Sequence, residues 1–475
     1  MTVAVSIAPV AVFLIALVVF KFKAWQAALV ALTVSLAAAS FVFSEALPLS
    51  KIPGVMVDGF LFALSPICFV VVAALFTYAV TLESGAMLAI RSALSSVSDD
   101  RRILVLLIVW GFGNFMEGMA GFGTAVAIPT ALLVGLGVAP VKSVVMCLVA
   151  NTTPTAFGSV GVPLVTLSEV SGTDLTSLTW MTILLQLPVT ALGPVLVLLT
   201  YGGIKALSGM WRMIILSQAA FIVPWGLSAR FLGCELPNIA GGLGVMLAIV
   251  LSSRRSISSV AFKRQLYAWT PFGLVVAVLS VNALMSPEVK KWTTPGALVL
   301  AAAFLGGIVQ KISIKRLVEL FFRTVTNYRA ALATICCVLM LARIMAESGM
   351  ISAIADFLVA ATGSAYPAVS SLVGALGGFV TGSGTSSSVL FGKLQADVAR
   401  ELCADPHIFA AANVMGAGIG KMICPQSIAI GAAAASLTQS EGVILRKTFL
   451  WYLFDILVAS VVVLLFYIDS AGSSC

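Results

Sequence analysis

The stretch ILVLLIVWGFGNFMEGMAGFGTAVAIPTALLVGLGVAPV, Ile103 to Val141, decides how this chain folds, because it is long, apolar and interrupted midway by glycines. Its one charge is Glu117. At 1.5 Å per helical residue it would reach about 58 Å, almost twice the roughly 30 Å of a hydrocarbon core, so a helical hairpin fits and one straight span does not. The bend falls where Gly118, Gly121 and Gly123 flank Met119, Ala120 and Phe122, since glycine tolerates the open backbone of a tip. Non-helical backbone at membrane depth persists only where protein or water satisfies its amides, so this tip is expected to line a cavity.

The rest of the composition agrees. The chain has 475 residues, 60% hydrophobic and 10% charged, with a mean hydropathy of +1.11, which places it among polytopic helical membrane proteins. Uninterrupted apolar runs exclude the short alternating strands of a membrane barrel. The first run, Val3 to Phe20, lacks a basic leader and a small-residue cleavage site and is expected to be a retained helix. Eight cysteines without CxxC spacing read as buried structural thiols. A single histidine, His407, gives no basis for a metal site. The net charge of +8 reads as topology. With the N-terminus outside, Lys51, Arg230, Lys290, Lys291, Lys393 and Arg400 fall outside and Arg343 and Lys421 within apolar runs. The remaining 19 of the 27 basic residues fall inside, as the positive-inside rule requires.

In chain order, helices are expected at Val3–Phe20, Ala24–Phe43 and Gly59–Leu82, followed by an interfacial amphipathic segment from Glu83 to Val97. After the hairpin, Ser143 to Ser168 returns outward, but its middle reads NTTPTAFGSVGVP, Asn151 to Pro163, which breaks a helix. Discontinuous spans expose half-helix ends where transporters hold substrates and ions. Thr176–Tyr201 comes back, and Trp211–Phe231, Leu236–Leu251, Ala268–Met285 and Pro295–Val309 read as scaffold or dimer interface. An outward helix is expected from Ala330 to about Ala346.

From there the first pattern starts again. LESGAMLAI at Leu82–Ile90 matches AESGMISAI at Ala346–Ile354 at five of nine positions, 264 residues later. At that offset GNFMEG from Gly113 falls on GGFVTG from Gly377, and at an offset of 262 Asn151, Gly158 and Pro163 fall on Asn413, Gly420 and Pro425. Phe357–Gly392, with TGSGTSSS at Thr381–Ser388, is therefore expected to be a second hairpin and Ile408–Ser440 a second broken span, before a last helix at Thr448–Ile468. An odd number of crossings separates the copies, which inverts the second. The expected fold is all-α, with about twelve spans and two re-entrant hairpins in two inverted repeats, the arrangement of alternating-access carriers. The domains are 1–58, N-terminal helices; 59–203, first repeat (hairpin 103–141, broken helix 143–168); 204–329, scaffold; and 330–475, second repeat (hairpin 357–392, broken helix 408–440). Both termini lie outside.

Few residues can carry chemistry. Lys421 is the one charge between Ile408 and Ser440, and an ammonium at membrane depth either faces a functional cavity, where it would hold an anion, or is neutralised by a buried carboxylate or by carbonyls of the broken helix. Glu117, alone in its hairpin, is suited to carrying a proton, with a helix-capping or inter-repeat ion-pair role as the alternative. Asp455 in the last helix is a weaker proton candidate, with a buried ion pair as the alternative. Arg343 lies four residues before Glu347, which favours a helical ion pair over a ligand role. Gly121, Thr124, Asn151, Thr152 and Thr153 in the first copy and Thr381, Ser383, Thr385, Ser386, Ser387 and Asn413 in the second suit a small polar ligand, or satisfy backbone freed by the glycines.

At these motifs the sequence resembles the lactate permease family of bacterial carboxylate transporters. The strings are EGMAGFGTAVAI from Glu117, ALLVGLG from Ala131, CLVANTTPTAFGSVGVP from Cys147, TGSGTSSSVLFGKLQ from Thr381 and GKMICPQSIAI from Gly420, the last carrying Lys421 and Gln426. The resemblance spans nearly the whole chain. It implies a multi-pass protein of the bacterial inner membrane, monomeric or homodimeric, that takes up L-lactate, D-lactate or glycolate with protons and needs no cofactor, with Gln426 added to the binding residues. One position departs: where an acidic residue is expected in the second tip, as in TGSDTSS, this chain has Gly384. Sodium coupling is the near alternative, since broken-helix carbonyls with Asn151 and Asn413 could hold that ion. An anion channel or an intramembrane enzyme is a more distant reading, and nucleic-acid binding has no support.

Overall fold

The computed structural model describes residues 2–20, 22–253, 259–285, 294–437 and 440–474, and among them every regular element is helical. Of the basic residues counted above, Lys21, Arg254, Arg255, Lys290 and Lys291 lie outside the described residues. Among the described residues, eight helices are long and apolar enough to cross a membrane, ten when each bent pair counts as one span. The expectation of about twelve spans is therefore not reached on length alone. Thr2–Ala16, Pro237–Ser252, Thr270–Leu284 and Pro295–Val309 are apolar but shorter.

Turns are fixed by local chemistry. Asp100, Asp174, Ser313 and Asp405 each accept a backbone N–H from the first turn of the helix that follows, at Arg102, Ser177, Arg316 and His407. Gly85 and Gly349, 264 residues apart in the matched ESG strings, both take left-handed backbone, at φ 73° and 77°, and both start amphipathic helices, Ala86–Ser95 and Met350–Thr362.

The first apolar stretch bends at its glycines, and its second limb ends at Gly135, because Pro140 and Val141 already belong to the next helix. Arg101–Met119 and Thr124–Gly135 flank a tip in which Gly121, Phe122 and Gly123 are all left-handed, at φ 61°, 50° and 83°. A Cβ on Gly113 would lie 3.6 Å from Pro129 and 3.7 Å from the Ala125 carbonyl, so the limbs run side by side. The second hairpin is displaced from its expected bounds of Phe357–Gly392. Phe357 belongs to the amphipathic Met350–Thr362, which ends at left-handed Gly363, and the limbs are Tyr366–Thr381 and Gly384–Glu401. The second limb outlasts Gly392 because Lys393, Asp397 and Arg400 form an i, i+4 and i, i+3 ion-pair ladder along it. Inside this hairpin Gln395 Nε2 donates to the Ser370 carbonyl at 2.7 Å and Ser387 Oγ to that of Gly374 at 3.1 Å.

Other bounds move as well, and the last helix runs Glu441–Ser474 rather than Thr448–Ile468. The third helix begins at Ile52, with a π turn at Ala63–Cys68. The outward helix expected from Ala330 is the last part of a 34-residue helix, Ile314–Glu347, which holds no glycine or proline to interrupt it. Both broken spans are present: Pro140–Ala150 meets Pro154–Ser171 at 68°, and Pro406–Lys421 meets Pro425–Ala434 at 45°. The second closes at Ala434 rather than reaching Ser440.

Tyr366–Thr381 packs on Pro406–Lys421 backbone to backbone. Gly374 faces the Asn413 carbonyl, Gly378 that of Ala417, Gly416 that of Ser371 and Gly420 that of Ala375, with no room for a Cβ at any of them. Two G-x3-G pairs, 374 with 378 and 416 with 420, thus lock the hairpin to the broken helix that ends in Lys421.

If the two hairpins enter from opposite faces, their outer turns differ in exposure to impermeant thiol reagents. Cys403 lies exposed after the second hairpin, and Ser96 lies before the first. With Cys475→Ser as background, Cys403 in whole cells is expected to react with an impermeant maleimide. Ser96→Cys, made with Cys403→Ser added, is expected to stay shielded until the cells are opened. The reverse pattern would sink the inverted arrangement.

Candidate functional site

Tips and breaks converge. A Cβ on Gly121 would strike Ser159 Oγ, whose hydroxyl donates to the Ala120 carbonyl at 3.0 Å, so the first tip is pinned to the first break. A Cβ on Gly123 would come within 2.9 Å of Ile430, in the second half of the second broken helix. In the second tip, a Cβ on Gly382 would lie 3.0 Å from Gln426 Oε1 and one on Gly384 2.9 Å from Thr155 Cγ2. The breaks also cross: Gly418 lies against the Thr152 carbonyl. The first break is itself strained, since Ser159 and Val160, neither a glycine, hold left-handed backbone at φ 46° and 60°.

At this crossing the two candidate charges meet. Lys421 Nζ donates to Glu117 Oε1 at 2.5 Å, with side chains 7% and 3% exposed. The pairing that stood as the alternative for each residue is thus with the other. It leaves room for more. Glu117 Oε2 is buried without a hydrogen-bond partner, and an ammonium has three N–H groups, of which one is used. Gly158 stands beside the carboxylate, where a Cβ would be 3.4 Å from Oε1.

The hydroxyls divide by what they bond. Thr124 donates to the carbonyls of Gly121 and Met116, Thr152 to that of Val149 and Thr381 to that of Gly377, all satisfying freed or helical backbone. Ser383 caps the second limb by accepting from the Ser386 amide at 3.2 Å, and Ser387 is used within the hairpin. Thr153 accepts from Thr190 at 3.3 Å. Thr385 and Ser386 are buried, while Gln426 is exposed beside the second tip. The asparagines differ: both polar atoms of the Asn151 side chain are buried and unpartnered, and Asn413 donates to the Ser387 carbonyl at 3.4 Å but leaves Oδ1 unpartnered. Asp455 is fully buried in the last helix with neither oxygen partnered. Arg343 does not pair with Glu347; its guanidinium lies over the Phe62 ring at 5.5 Å, and among the described residues it makes no ion pair. No group of three His, Cys, Asp or Glu side chains converges among the described residues.

One contributor was not legible as such. Asn238, at the start of a scaffold helix, donates Nδ2 to the Pro154 carbonyl at 2.6 Å, and Gly118 sits tight against it. The scaffold therefore holds the first break in place. The available signal was an amide beside a proline at the head of an otherwise apolar helix.

A family model for L-lactate permease matches residues 2–294 and 280–468. An L-lactate permease of Streptococcus iniae is 34% identical over 86% of this chain and 92% of its own length. One of Bacillus subtilis (strain 168) is 32% identical over 97% and 95%, and a glycolate permease of Escherichia coli (strain K12) is 30% identical over 94% and 92%. These relatives are named as permeases, not enzymes. Among solved structures, the YdaH transporter of Alcanivorax borkumensis, reported to have an unusual topology, superposes with a TM-score of 0.50 over 88% of each chain at 15% identity, a likeness of fold.

If close approach of the first tip to the first break is required, a methyl group there is costly. Gly121→Ala meets both left-handed backbone, worth about 1–2 kcal/mol, and the Ser159 hydroxyl. Gly54→Ala, at a site with no atom within 4 Å, meets nothing. Thermal unfolding in detergent is expected to show a lowered midpoint for Gly121→Ala and none for Gly54→Ala; equal midpoints would remove the packing argument.

Proposed function

The chain belongs to the L-lactate permease family, and from that premise we propose that it is a proton-coupled symporter of small monocarboxylates such as L-lactate, D-lactate or glycolate. In this reading Lys421 holds the substrate carboxylate and Glu117 carries the proton. What supports it is the buried Lys421–Glu117 pair between the first tip and the second break.

Charge conservation supplies the coupling. An unpaired charge at this depth costs several kcal/mol, so the empty site is held neutral by the pair. A carboxylate alone would leave Glu117 unpaired, and a proton alone would leave Lys421 unpaired. When both bind, the proton on Glu117 neutralises it, the ammonium passes to the substrate, and the site is again neutral. Oε2, buried and unpartnered, is the atom open to that proton. Only the empty and the doubly loaded sites then rearrange without a net buried charge, which is one proton per carboxylate. The substrate hydroxyl would reach toward the unpartnered amide of Asn151.

Sodium coupling keeps a specific support of its own: the Oδ1 atoms of Asn151 and Asn413, both buried and unpartnered, suit a small cation beside broken-helix carbonyls. Proteoliposomes separate the two. Concentrative uptake of labelled L-lactate is expected under a proton gradient alone and not under a sodium gradient alone; the opposite result would transfer the coupling role to the asparagines.

Variants address the pair directly. Glu117→Gln keeps size and hydrogen bonding but cannot release a proton, so accumulation should be lost while exchange of internal for external substrate persists. Normal accumulation by this variant would move the proton to Asp455. Lys421→Met should weaken substrate binding by about ten- to a hundredfold, the worth of a charge-assisted hydrogen bond, and Lys421→Arg should rescue it poorly. Calorimetry on folded protein decides this, and unchanged affinity in Lys421→Met would make the lysine structural.

A further inference from the structure

A cavity of about 280 Å³, lined by neither Glu117 nor Lys421, lies between the second limb of the second hairpin, the C-terminal end of the first broken helix and the C-terminal end of Ile314–Glu347. Val389, Lys393 and Arg400 line it from the hairpin, at spacings of four and seven residues that share one helix face. Val389 stands five residues beyond Gly384, about 7.5 Å along the axis, and Arg400 sixteen beyond, about 24 Å. The cavity thus runs along the limb, and Val389 is its lining residue nearest the tip.

Its cations are not equivalent. Lys393 and Arg400 share Asp397, at 3.1 and 2.7 Å, and Arg400 also donates to the Ser171 carbonyl at 2.8 Å. Arg343 is half-buried in the opposite wall, makes no ion pair among the described residues, and has its Nε buried without a partner. A guanidinium stays charged at any working pH and presents a planar fork that fits a carboxylate. Glu169 and Glu347, both exposed, stand at the rim and disfavour an anion of higher charge. At about 30 Å³ of liquid volume per water, the space admits a small carboxylate with part of its hydration.

We propose that this cavity is a second carboxylate-binding site, a vestibule in which a monocarboxylate docks on Arg343 before passing along the hairpin to Lys421. The identity of the anion rests on the symporter reading; the anion preference rests on the cavity itself.

The test places a thiol in the wall without touching the arginine. Ala346, half-buried, lines the same cavity. In full-length protein with Cys337, Cys403 and Cys475 replaced by serine, Ala346→Cys is treated with an anionic and a cationic methanethiosulfonate, each rate divided by that with a free thiol. The anionic reagent is expected to react about tenfold faster and to be slowed by L-lactate. Adding Arg343→Gln should abolish both effects, and adding Arg343→Lys should keep the preference. Phe62→Leu, which removes the ring but keeps the charge, should change neither. Equal rates with no protection by L-lactate would overturn the proposal.

Uptake by the parent protein is measured alongside. Without uptake the symporter reading fails, while an anionic preference would still establish the cavity as an anion site. With uptake but no preference, the vestibule alone fails. Repeating the reaction in phosphatidylcholine and in phosphatidylglycerol vesicles separates a lipid headgroup from a soluble anion. A preference lost in phosphatidylglycerol and indifferent to L-lactate would assign the cavity to lipid and overturn the docking role.

Discussion

A lysine and a glutamate 304 residues apart in sequence meet in a place where neither could stay charged alone. Taking each ion out of water costs several kcal/mol, and the loss is offset only if the partner is held in place. The helix ends treat them differently. Lys421 is the last residue of Pro406–Lys421, where the terminal carbonyls favour a cation; Glu117 is two residues from the end of Arg101–Met119, where the same carbonyls oppose a carboxylate. The pair is therefore more firmly anchored on the lysine side.

Holding that geometry falls to glycine. Gly420 precedes Lys421 and lies against the Ala375 carbonyl, so the lysine's depth is set by backbone contact with the second hairpin. Gly121 and Gly158 do the same for the glutamate, one against Ser159 and one beside the carboxylate. Asn238 ties the first break to the scaffold through the Pro154 carbonyl. Contacts of this kind leave little slack: a rearrangement of either tip carries one member of the ion pair with it.

What could be read from the sequence was whatever changes the backbone. Glycine and proline clusters located both tips and both breaks to within a few residues, because few other residues permit such geometry. Pairing was harder. Glu117 and Lys421 were each visible as an isolated charge, but a separation of 304 positions carries no spacing rule, and the pair stood only as an alternative. Helix spacing misled at Arg343, where the Phe62 ring on a neighbouring helix takes the guanidinium that an i, i+4 rule would give to Glu347. Phe357 was drawn into the second hairpin because an amphipathic helix and a hairpin limb are both apolar, and only Gly363 divides them. The reciprocal G-x3-G contacts were equally hard to read, since a glycine-rich helix looks the same whether it packs on protein or bends.

The departure at Gly384 acquires a physical reading from this arrangement. A Cβ there would stand 2.9 Å from Thr155 and 3.2 Å from its carbonyl, so in this conformation the second tip closes on the first break because the side chain is missing. An acidic residue would have to swing elsewhere or hold the tip away. It would also bring a second carboxylate to a crossing where Glu117 is otherwise alone, since neither tip and neither break carries another acid. With a glycine, the charge arithmetic at the centre reduces to one lysine and one glutamate. Any anion that takes the lysine must then be matched by neutralising that glutamate or by admitting a cation, and the same residue that lets the tip close leaves the site no other acid with which to do it.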